Sequence, residues 1–240
     1  IRYPIVTDVV KYTDKKTEDG KPVTETAEET LNSMVPIWKR RRGEVKDEEY
    51  NDFYRDEFGD GDAPAKVITA NMEGTVSFTA LLFIPSRPPY DYYTKAFKRG
   101  LKLYSSGVLI MDTCEKLLPD WLGFVRGVVD SSDLSLNISR EMLQHDRQLK
   151  EIAKALEKKL LSELAKWMES DRPAYEKFFK DFGITLKFGA YEGFGMNMSK
   201  IRDLLVYKTA KGNTVSLKEY DAAMPEGQKH IYYASGSDGD

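Results

Sequence analysis

From Ser139 onward the chain repeats apolar residues at steps of three and four: Leu149, Ile152, Leu156, Leu160, Leu164 and Trp167. At 3.6 residues per turn these fall on one face of a long helix, with Lys and Glu filling the other face. So long an apolar face has to be buried, which demands a second layer of structure to cover it. Asp171-Arg172-Pro173 ends this helix or starts the next. Ala174–Phe182, rich in Tyr and Phe, reads as a second helix, and Met198–Val206 as a third.

The residues before Ser139 supply strands. Residues 1–12 alternate loosely and contain Pro4, which points to a strand near a sheet edge. The polar run 13–30, with Gly20 and Pro22, reads as a mobile loop or long hairpin connection. Asp47–Phe58 spaces Tyr50, Phe53, Tyr54 and Phe58 at helical intervals behind an acidic first turn. Ala65–Met72 and Thr75–Ile84 read as strands around a tight Glu73-Gly74 turn. Lys102–Met111 reads as one strand, Lys116–Val125 as a helix, and Gly127–Leu136 as a short strand followed by a loop. Val215–Tyr220 reads as a short helix capped by Ser216, and Lys229–Ala234 as a strand.

This order predicts an α/β fold built in α+β layers. Residues 1–148 are expected to form a large αβα sandwich subdomain, 149–210 a short helical subdomain, and 211–240 the truncated start of a small α/β unit. The chain opens at Ile1 in a strand-like run and stops after HIYYAS, so a fragment of a larger soluble protein is expected.

Composition narrows the function. Lys plus Arg is 36 and Asp plus Glu is 39, a balance that gives no global reason to expect nucleic acid or an anionic membrane. No apolar run approaches the roughly 20 residues of a membrane span. The single cysteine, Cys114, cannot form an internal disulfide, which points to an intracellular chain. His145 and His230 are the only histidines, and no Cys/His spacing fits a metal site. Phosphate-loop, dinucleotide and nucleophile-elbow motifs do not occur. Two runs fit protein contacts: Trp38 followed by Lys39–Arg42, and Pro88–Tyr93 with Tyr90, Tyr92 and Tyr93. Charged-loop and core-packing readings remain open for these runs.

Leu136–Gln144, LNISREMLQ, carries the sharpest chemistry. Asn137 and Ser139 are natural N-cap residues, which puts Arg140 in the first helical turn. A cation there opposes the helix dipole unless an anion approaches, and a phosphate would gain from both the guanidinium and the backbone N–H groups. Gln144 follows on the same face. A surface ion pair is the other reading of Arg140.

VVDSSDLSLNISREMLQ (128–144) closely resembles the hallmark of the heat-shock protein 90 family. ALLFIPSRPPYD (80–91), VLIMDTCEKLLPDWLGFVRGVVD (108–130), QKHIYYASG (228–236) and PIW (36–38) resemble the same family's middle domain, in the same order. The resemblance implies a cytoplasmic, homodimeric, ATP-dependent chaperone. ATP and Mg would be held by a separate N-terminal domain, with none expected in this fragment. A C-terminal domain would dimerise the protein. Arg140 would reach the γ-phosphate, with Asn137 and Gln144 as loop partners, and this chain alone would be inactive. Trp38 and Tyr90, Tyr92 and Tyr93 would contact client proteins, although Tyr90 stands where many relatives carry Phe. The short 13–30 segment lacks the acidic linker of eukaryotic cytosolic members, which implies a bacterial origin. The alternative is a non-catalytic interaction module, in which the Arg140 loop only stabilises an interdomain interface.

Overall fold

The computed structural model describes residues 3–16, 22–31, 34–134 and 142–236. Two compact units emerge, residues 1–46 and 47–240. In the first, β1 (Val6–Lys16) and β2 (Pro22–Thr30) pair antiparallel, with Val6 opposite Thr30 and Tyr12 opposite Thr24. Most of the polar segment expected to be loop is therefore strand. Its Thr and Val residues suit a pleated ribbon despite the surrounding charge. Short 3-10 turns follow at Ile37–Lys39 and Arg42–Glu44.

The second unit starts with α1 (Asp47–Phe58), whose acidic first turn complements the helix dipole. Five strands follow: β3 (Lys66–Met72), β4 (Phe78–Ile84), β5 (Leu101–Ser105), β6 (Val108–Cys114) and β7 (Arg126–Asp130). They form one sheet in the order β3-β4-β7-β5-β6, parallel only between β5 and β7. β4 is buried on both faces. On one side Phe83 meets the rings of Phe53, Tyr54 and Phe58 from α1, at centroid distances of 6.1, 5.1 and 6.0 Å. On the other, Ala80, Leu82 and Ile84 join the core that also holds Leu149, Ile152, Leu156, Leu160, Leu164 and Trp167 of α2 (Met142–Ser170). The predicted helical face thus finds its covering layer, and the architecture is an α/β sandwich with a mixed sheet at its centre.

Several local readings need correction. Lys102–Met111 is a hairpin rather than one strand. Ser106 (φ 50°) and Gly107 (φ 84°) both sit in the left-handed region, as a two-residue hairpin turn requires. Thr75–Ser77 does not pair with β3; the Ser77 N–H donates to Asp133 instead. Lys116–Val125 is not a helix but two 3-10 turns, Glu115–Leu117 and Asp120–Leu122. Pro119 forces Leu118 into an extended conformation between them. Even so Leu117, Trp121, Leu122 and Val125 are all buried.

α3 (Arg172–Gly195) runs well beyond Phe182. Asp171 caps it, accepting from the Ala174 N–H at 3.2 Å. Its regular winding ends at Glu192, where Gly193 and Phe194 take positive φ. After α4 (Met198–Ile201) and a 3-10 turn, β8 (Val206–Lys208) and β9 (Thr214–Ser216) pair, and α5 (Leu217–Ala222) closes the order. Ser216 caps α5 in a reciprocal box with Glu219. Arg172 clamps Glu219 through two hydrogen bonds at 3.1 and 3.0 Å, tying α5 to the start of α3. The Ser216 N–H and then Arg172 hold the Glu219 carboxyl below the usual carboxylate range. Residues 229–234 are not strand: no strand among the described residues pairs with them, and Tyr232 and Tyr233 lie exposed.

The expected break at 148/149 falls inside α2, and residues on both sides of it share one core. The α2 face also packs on α3, where Trp167 meets the rings of Tyr175 and Phe178 at centroid distances of 6.0 and 5.3 Å.

Candidate functional site

Asn137 and Arg140 lie outside the described residues, as does the side chain of Gln144. What the structure does show is the ground on which that segment stands. β7, central in the sheet, carries Asp130 at its C-terminal end, with Ser131 following. Of the four buried polar or charged side chains among the described residues, three gather here: Ser105, Asp130 and Ser131. The Ser131 hydroxyl donates to the Ser77 carbonyl at 2.7 Å, and the Ser77 N–H donates to Asp133 Oδ2 at 2.7 Å. The Ser105 hydroxyl donates to the Leu134 carbonyl at 2.5 Å. Gln148, on α2, donates to the Asp133 carbonyl at 3.1 Å. Asp130 accepts from the Gly107 N–H at 3.1 Å.

These bonds fix the chain at Leu134 and tie it to α2 beyond the undescribed stretch. Buried polar groups fully used in this way hold one backbone geometry. The serines escaped the sequence reading because each is unremarkable by itself; only the pairing of β5 with β7 brings them together. Ser105→Ala is expected to lower stability by about 1–3 kcal/mol, since it strands a buried carbonyl. Urea denaturation reads that loss, and an unchanged midpoint would remove Ser105 from this role.

The second candidate region is the tyrosine loop. Tyr90 is fully exposed and Tyr93 is 65% exposed, while Tyr92 is only 8% exposed. The Tyr92 ring stacks edge-on against Phe97 and Phe182, at 4.8 and 5.4 Å. Its hydroxyl lies 3.3 Å from that of Thr185. Burial pushes the Tyr92 phenol up to about 12. Tyr92 therefore serves the core, which corrects its expected place on an open surface. Tyr93 donates to the Asp181 carbonyl at 2.8 Å, and its phenol is raised, mainly by burial. Trp38, in the first unit, is half-buried. No helix is long and apolar enough to cross a membrane, and no metal-binding group of three or more ligands occurs among the described residues.

Residues 6–240 match the family model for Hsp90 protein. The chain belongs to the Hsp90 family. Among its relatives, the chaperone protein HtpG of Clostridium perfringens is 51% identical over 237 residues, covering 98% of this chain and 38% of that protein. HtpG of Clostridium botulinum is 52% identical over 239 residues, again covering 98% of this chain and 38% of the relative. A solved structure of the middle domain of a Plasmodium falciparum heat shock protein superposes with a TM-score of 0.72. It is 31% identical, and the match covers 84% of this chain and 79% of that one. The chain thus spans 38% of the length of these bacterial Hsp90 relatives and corresponds to the family's middle domain.

Proposed function

We propose that this chain is the middle segment of an ATP-dependent molecular chaperone, and that it supplies Arg140 to the γ-phosphate of ATP held by a separate N-terminal domain. The observation that carries the reading is the family match across 6–240, which includes the LNISREMLQ motif. ATP, with Mg, supplies the reacting phosphoryl group. The part played by this chain is a guanidinium, with Asn137 and Gln144 beside it, that stabilises charge developing on phosphate oxygens. The Ser105, Ser131, Asp133 and Gln148 bonds favour such a role, because they fix the chain up to Leu134 and link it to α2 at Gln148. The remaining partners are the dimerising C-terminal domain and client proteins. On its own the chain is expected neither to bind nor to hydrolyse ATP.

Client contact falls to Tyr90 and Tyr93, whose rings are exposed, with Trp38 as a further candidate. Tyr90→Ala is expected to leave stability within about 0.5 kcal/mol, since the ring touches no core. Tyr92→Ala is expected to cost about 3–5 kcal/mol, as large aromatic truncations in a core do. Thermal melts check both. Anisotropy with a labelled, permanently unfolded protein then tests Tyr90: unchanged affinity in Tyr90→Ala would remove it from the client surface.

A further inference from the structure

Beyond the tyrosine loop, α3 carries large apolar side chains that the core does not use. Ile184 is 67% exposed, Phe188 57% and Tyr191 79%. They recur at steps of four and three, on the face opposite the buried Phe178, Phe182 and Leu186. Single exposed apolar residues are ordinary, but a contiguous row of three marks a contact surface.

The two edges of the row differ. Along one edge, Asp181 and Thr185 adjoin the tyrosine loop, and a pocket of about 210 Å³ opens between Tyr92, Tyr93, Phe97, Arg99, Asp120 and Thr185. That is smaller than the roughly 300–1,000 Å³ of small-molecule sites and suits a single side chain. Arg99 and Asp120 pair at 3.0 Å, so they cancel at the pocket rim. Along the other edge stand Lys180 and Lys187, both exposed. Among the described residues neither of these lysines is paired with a carboxylate, and Lys187 lies over the Phe179 and Tyr207 rings at 5.5 and 5.8 Å. The surface is therefore an apolar row with a side-chain pocket on one flank and uncompensated positive charge on the other.

We propose that this row and pocket form a docking surface for an apolar polypeptide segment bearing acidic residues along one side. The proposal extends the client-contact reading and rests on it for the occupant being polypeptide. Apolar anchors supply the contact area, and the lysine edge selects carboxylates over cations. A second copy fits less well, because antiparallel two-fold pairing of this face would set lysine edge against lysine edge.

The test uses this chain and a short fluorescein-labelled peptide with Leu and Phe at helical spacing flanked by Glu. A matched control peptide carries Lys in place of Glu. The acidic peptide is expected to bind, and to bind about tenfold more weakly to Ile184→Ser/Phe188→Ser, a double variant whose melting temperature stays near the parent's because both positions are exposed. The preference for Glu over Lys is expected to reverse in Lys180→Glu/Lys187→Glu. Equal affinity of parent and Ile184→Ser/Phe188→Ser overturns the proposal. So does an absent or inverted charge preference, or a dimer in sedimentation that the same double variant dissolves. If Tyr90→Ala weakens the peptide and the α3 variant does not, the Tyr90 reading stands and this one fails. The opposite pattern keeps the α3 surface and removes Tyr90.

Discussion

Arg140→Ala, introduced into a full-length protein carrying this segment, is expected to lower ATP turnover by about 10³-fold or more, the range seen when an arginine finger is removed. That corresponds to roughly 4 kcal/mol or more of lost transition-state stabilisation. So large an effect is expected because a guanidinium offers two parallel donors to phosphate oxygens. Lysine keeps the charge but loses the fork, so Arg140→Lys should recover only part of the rate. Gln144→Ala is expected to cost less, since an amide brings no net charge. Steady-state phosphate release measures all three, and an unchanged rate in Arg140→Ala would end the catalytic reading.

The second large effect is on stability. Trp121→Ala is expected to cost about 3–5 kcal/mol. Trp121 is 1% exposed, sits on the Asp120–Leu122 turn, and lies against Gly189 of α3. A Cβ built on Gly189 would collide with the Trp121 Cβ, Cγ and Cδ2 atoms. The glycine is therefore what lets the indole wedge between the sheet layer and α3. This contact also reverses the usual sign of a glycine substitution. In an open helix, Gly→Ala stabilises by about 0.8–1 kcal/mol. Here Gly189→Ala is expected to destabilise by about 1–3 kcal/mol through overpacking. Chemical denaturation of the two variants tests the wedge; a stabilising Gly189→Ala would mean that the ring and helix are not in contact.

The parts of this fold legible in the sequence were those with one dominant local cause. α1 begins and ends where its acidic start and aromatic spacing placed it. α5 begins at its Ser216 cap. The six apolar positions of α2 are all buried, because a period sustained over so many turns leaves no other arrangement. Two readings failed where one or two residues overruled their neighbours. Pro119 split an apolar run that is helical by spacing, and Ser106-Gly107 folded a strand-like run back on itself. At the sites, sequence offered residue types but not exposure. Tyr90, Tyr92 and Tyr93 look alike in the chain, yet Tyr92 is in the core because Phe97 and Phe182 close around it. The α3 row went unseen since Ala174–Phe182 stops short of it, and the Ser105–Ser131 base depends on strand pairing that local patterns do not encode. The LNISREMLQ motif was legible as chemistry, but Asn137 and Arg140 fall outside the described residues.

The most direct test measures ATP affinity beside turnover in full-length Arg140→Ala. If Arg140 acts on the γ-phosphate in the transition state, turnover collapses while ATP affinity stays within about twofold. Turnover and affinity falling together would show that the loop only holds an interdomain interface, and that result would contradict the catalytic role proposed for this chain.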